Sequence, residues 1–116
     1  VPSERPRVRF ADILENIERI EFYMGEIASF EAFVASSLHQ DAIERCLLRI
    51  CEAAVKLGDV AERLAPEIPW QDVRGMGNHL RHAYDLVDPR ILWNTVLYDL
   101  PPLKVACRRA LRKLQD

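Results

Sequence analysis

The chain is poor in the residues that staple, turn or anchor a protein. It has three cysteines, Cys46, Cys51 and Cys107, and no Cys-x-x-Cys pair. An odd count without that spacing argues against a disulfide framework and against a structural zinc site. Three thiols packed in a core fit better, and the expected location is the reducing cytoplasm. Only four glycines occur in 116 residues, and no Asn-Gly or Asp-Gly pair marks a tight hairpin. No apolar run approaches bilayer-crossing length, so no membrane role is expected. The formal net charge of -2 is too small to mark a nucleic-acid binder by itself. Residues 1–9 are mostly polar, with Pro2 and Pro6, and read as a flexible arm rather than a secretory leader.

What the chain does have is apolar content of 49% arranged with helical periodicity, enough for one domain over residues 10–116. Phe10, Ile13, Leu14, Ile17, Ile20 and Met24 recur at three- and four-residue steps, the stripe of one helix face. A short turn follows over residues 29–34. A second long helix, with Asp41 as its expected cap, carries Ile43, Cys46, Leu47, Ile50, Ala54, Leu57, Ala61 and Leu64 and stops before Pro66. Pro69 is placed in the first turn of a third helix, whose apolar positions are Val73, Met76, Leu80, Tyr84 and Val87. Asp88-Pro89 reads as a cap and first turn, and Pro101-Pro102 as the start of the last helix. The expected fold is all-α, an antiparallel bundle of about five helices.

Charge is uneven. Residues 1–70 hold 8 Lys/Arg against 13 Asp/Glu, and residues 71–116 hold 8 against 5. Arg108, Arg109 and Lys113 suit the C-terminal end of a helix. More informative is the third helix, where Arg74, Asn78, Arg81, His82 and Asp85 project from the face opposite the apolar stripe. Arg74, Asn78 and His82 are four apart, neighbours on adjacent turns. An imidazole exchanges protons near neutral pH, and a guanidinium stabilises charge on a phosphoryl oxygen. With RNA as substrate the 2′-hydroxyl supplies the nucleophile, so no metal or cofactor is expected. Each residue also has a plain structural role: Arg81 and Asp85 as a surface pair, Tyr84 in packing, His39 and His79 on the surface. Gly75 and Gly77 inside a helix each cost about 1 kcal/mol relative to Ala, which asks for a close approach by another backbone or a ligand.

The run Gly75-Met76-Gly77-Asn78-His79-Leu80-Arg81-His82-Ala83-Tyr84 resembles the signature of the HepT-like family within the HEPN superfamily. So do Ile13-Leu14-Glu15-Asn16-Ile17, Ile50-Cys51-Glu52-Ala53-Ala54, Pro66 to Trp70, Val87 to Trp93 and Asp99-Leu100-Pro101, which extends the similarity over most of the chain from Phe10 onward. The resemblance implies a dimerising helical bundle, or a larger homo-oligomer. It implies a metal-independent ribonuclease toxin paired with a minimal nucleotidyltransferase antitoxin. By position it makes His82 the catalytic histidine, Asn78 the polar residue beside the motif arginine, and Tyr84 the tyrosine to which the antitoxin transfers AMP. The sequence departs from the pattern at Gly77, where the family carries its arginine, and Arg81 or Arg74 is the substitute. The alternative is a catalytically inactive HEPN domain that binds and regulates a nucleotidyltransferase.

Overall fold

In the computed structural model, which describes residues 5–83, 85 and 87–114, all regular structure is helical. The order is α1 (Pro6–Met24), α2 (Phe30–Val34), α3 (Ser37–Leu57), α4 (Asp59–Leu64), α5 (Trp70–Arg81), α6 (Pro89–Asn94), a π-helical turn (Thr95–Asp99) and α7 (Leu100–Leu114). The all-α bundle expected from the apolar stripes is therefore present. No described helix is long and apolar enough to cross a membrane.

α1 begins one turn before Phe10, at Pro6, because proline's missing N–H costs nothing in a first turn. Residues 6–9 thus belong to the helix rather than to an arm. Its stripe Phe10, Ile13, Ile17 and Ile20 is fully buried against α3 and α7. α3 starts earlier than expected too. Its cap is Ser36, whose Oγ accepts from the His39 N–H at 3.3 Å, not Asp41. Residues 37–64 are not one helix either. Gly58, at φ 58° and ψ −144°, breaks the run into α3 and α4. Only glycine adopts that backbone cheaply.

Trp70 opens α5 and is almost wholly buried. Its Nε1–H donates to the Ala65 carbonyl at 2.8 Å, and its ring meets Phe10 edge-on at 6.4 Å. The entry of α5 is thereby fixed to both α1 and the end of α4. α6 starts as its sequence suggests, with Asp88 Oδ1 accepting from the Arg90 N–H at 2.9 Å and Pro89 in the first turn. Pro101 and Pro102 lack the N–H groups that would continue an α ladder, and the turn before them widens to the π register.

Candidate functional site

The polar residues of α5 meet three different surroundings. Arg74 turns inward to the junction of α3 and α4. Its Nε donates to the Ala54 carbonyl at 3.2 Å and its Nη2 to the Gly58 carbonyl at 2.8 Å. Both Nη groups also reach the Glu62 carboxylate at 2.8 Å. The Ala54 carbonyl is left open where α3 ends, and the Gly58 carbonyl takes Arg74 beside the Ala61 N–H, so Arg74 works as a C-cap supplied from another helix. The same hydrogen bonds hold the Glu62 carboxyl below its usual range and raise Arg74 further. With all three nitrogens engaged, Arg74 does not share the exposed face that its spacing suggested.

Gly77 faces down onto α3. A Cβ there would lie 2.6 Å from the Cβ of Cys51, inside any real contact distance. The helices meet so closely because position 77 has no side chain. The close approach inferred for the glycines is thus real at Gly77, and it is α3 that approaches. Gly75 has open space around it. Burial pushes the Cys51 thiol up to about 11, with the Arg81 charge acting in the opposite direction, so it stays a neutral thiol near neutral pH.

Asn78, Arg81 and His82 point outward, and all three are exposed. α5 ends at Arg81, not near Val87, and His82 is its C-cap residue. The imidazole folds back so that Nδ1 sits 2.9 Å from the Asn78 carbonyl oxygen. A carbonyl only accepts, so Nδ1 carries the hydrogen. In the neutral ring Nε2 is then the lone-pair nitrogen, the tautomer a general base requires. Helix ending and ring orientation share one acceptor, because the Asn78 carbonyl takes both the His82 backbone N–H at 3.2 Å and the imidazole.

Arg81 curls back along its own helix. Its Nη1 lies 3.5 Å from where a Gly77 Cβ would be and donates to Glu52 on α3. The guanidinium therefore hangs over the side-chain space that Gly77 leaves empty. Arg81 pairs with Glu52 rather than with Asp85, because the helix stops before a four-residue step to position 85 exists. Glu52 was not singled out from sequence as a site residue. The available signal was its place in a row of basic residues on α3. Tyr84 lies outside the described residues.

The family model described as "Ribonuclease HepT-like" matches residues 13–110. A Thermococcus cleftensis protein named "Probable ribonuclease HepT" is 45% identical over 93 residues, covering 80% of this chain and 84% of its own length. A candidate RNase of Caldanaerobacter subterraneus subsp. tengcongensis is 34% identical over 93% of this chain and 96% of its own. A candidate RNase of Methanocaldococcus jannaschii is 30% identical over 90% and 96% respectively. No solved structure gives a significant match. With the all-α bundle and a family match over most of the chain in agreement, this protein belongs to the HepT-like ribonuclease family.

Proposed function

We propose that the protein is a metal-independent endoribonuclease, the toxin of a toxin–antitoxin pair, with His82 as its proton-transfer group and Arg81 as its phosphate-facing cation. One observation carries this reading: the His82 ring is exposed, and its Nδ1–H is fixed on the Asn78 carbonyl so that Nε2 faces away from the helix end. Nε2 takes the proton of an RNA 2′-hydroxyl. The 2′-oxygen attacks the adjacent phosphorus, the bond from phosphorus to the 5′-oxygen breaks, and a 2′,3′-cyclic phosphate results. The departing 5′-oxygen receives its proton from the imidazolium just formed. Arg81 stabilises the charge that gathers on the phosphoryl oxygens, and the exposed Asn78 amide orients them. Arg74 is the weaker substitute for the family arginine, since its donors are already committed to Ala54, Gly58 and Glu62. AMP on Tyr84, two residues from His82, adds negative charge that repels RNA. The active form is a homodimer or larger homo-oligomer with RNA in a cleft between protomers.

The test is RNA cleavage by purified protein in the presence of a chelator. His82→Asn keeps a side-chain donor for the Asn78 carbonyl but removes the titrating nitrogen. The expected outcome is a folded protein with cleavage reduced by at least about 100-fold. Wild-type rates from His82→Asn would reject the assignment.

A second reading is favoured by Gly77. The contact with Cys51 leaves no room for a side chain where the family carries its arginine. A domain so altered would serve as a non-catalytic partner that binds a nucleotidyltransferase. Failure to cleave any RNA, together with formation of a stable complex with such an enzyme, would select this reading.

A further inference from the structure

A groove of about 490 Å³ runs between α1 and α3, on the side of α3 that carries Glu52. Arg45, Arg49, Glu52 and Lys56 line it at steps of four, three and four residues, which places them on one helical stripe. The stripe spans about 16 Å of helix axis. Glu52 is the carboxylate that holds Arg81, so the row of cations reaches the proposed phosphate-facing cation.

The charge balance of this groove is uneven in a specific way. On α1, Asp12 is paired with Arg9 at 3.4 Å and Glu15 with Arg19 at 3.7 Å. On α3, Glu52 is taken by Arg81. Among the described residues no carboxylate lies within ion-pair distance of Arg45, Arg49 or Lys56. The acids of the groove are spent, and three of its cations have no carboxylate partner. At its edge sits Asn16, only 5% exposed, whose Nδ2 donates to the Asp12 carbonyl at 2.9 Å while its Oδ1 has no donor. Nε of Arg9 likewise has no acceptor. Buried polar atoms without partners are rare and costly, and this groove has two beside its cations. The lining is otherwise almost free of large apolar side chains, unlike the core of a protein–protein interface.

We infer that this groove is the track for the single-stranded RNA flanking the scissile phosphate. Successive backbone phosphates bind Arg45, Arg49 and Lys56, and donors on the sugar edge face Asn16. Glu52 breaks the cation row at Arg81, so the phosphate that displaces it there is the one presented to His82. This inference rests on the ribonuclease reading for its direction, but RNA binding along the groove is measurable without catalysis.

The experiment compares the protein with its Arg45→Ala/Arg49→Ala/Lys56→Ala variant, all three positions being exposed. The probe is a labelled, unpaired RNA oligomer of about 12 nucleotides. Binding is followed by anisotropy against salt in the His82→Asn background, and cleavage is followed on the same oligomer and on a dinucleotide. The expected results are a loss of affinity on the order of tenfold or more near 0.1 M salt and a salt slope shallower by about 2. Oligomer cleavage falls through KM while dinucleotide cleavage is unchanged. Unchanged affinity and slope overturn the inference, even if the wild type is an active nuclease. So does an unchanged affinity with an altered oligomeric state, which would make the groove a protein contact. If no RNA is cleaved but affinity and slope fall as described, the groove stands and the nuclease reading is rejected.

Discussion

Gly75 and Gly77 lie two residues apart, and the same cost in helix propensity attaches to both. Their surroundings make opposite predictions. Gly77→Ala would drive a methyl group into Cys51, and overpacking of that kind costs about 1–3 kcal/mol. Cys51→Gly in the same chain removes the obstructing Cβ and should recover part of the loss, a coupling that denaturant unfolding of the single and double variants would measure. Gly75→Ala meets nothing within 4 Å and should stabilise the isolated protein by about 0.5–1 kcal/mol. An unstabilised or destabilised Gly75→Ala would mean that another chain closes on this face in solution. The sequence marks both glycines as needing an explanation. Which one touches α3 depends on the rotation of α5, and that rotation is set by Trp70 and Arg74.

Arg74 also shows where helical projection stops being a guide. Spacing alone places it with Asn78 and His82 on a polar face. The side chain is long enough to leave that face, and the Ala54 and Gly58 carbonyls at the end of α3, with the Glu62 carboxylate, draw it in. The Ala54 carbonyl is open because Gly58 breaks α3, and no apolar pattern announces that break, since Ala61 and Leu64 continue the stripe. Caps written in short local motifs fare better. Asp88-Pro89 is legible because aspartate accepts from an N–H two residues on. His82 as the end of α5 is not, because the apolar stripe runs on past it.

The Arg74–Glu62 clamp makes a pH prediction. The Glu62 carboxyl titrates below its ordinary value in the folded protein, so near and below that value the unfolded chain binds more protons. The clamp's stability is therefore present above pH of about 4.5 and is lost as pH falls through the lower folded value. Glu62 is 43% exposed, which limits the effect to on the order of 1 kcal/mol. Glu62→Gln should be less stable than wild type at neutral pH and should lose less on acidification. Parallel stability curves for the two proteins from neutral pH to pH of about 3 would remove Glu62 from the acid response.

At the scale of the whole molecule the proposed chemistry raises the question of which chain supplies which group. Within one protomer the Arg81 guanidinium is held over Gly77 by Glu52, whereas the His82 ring is held at the end of the helix by Asn78. The two neighbours in sequence are thus anchored to different elements, the one to α3 and the other to α5. If the protein forms a two-fold dimer with its cleft at this surface, the imidazole of one chain can act with the guanidinium of the other. Mixing two inactive proteins then separates the arrangements. If each cleft pairs His82 of one chain with Arg81 of the other, His82→Asn refolded with Arg81→Ala yields mixed dimers with one intact cleft. Cleavage should recover to about a quarter of the wild-type rate at equal mixing. If both groups act from the same chain, each cleft of the mixed dimer carries one defect and no activity returns. Recovery also requires that the species sediment at twice the 13.4 kDa chain mass or more, so monomeric behaviour at the assay concentration would exclude the shared cleft.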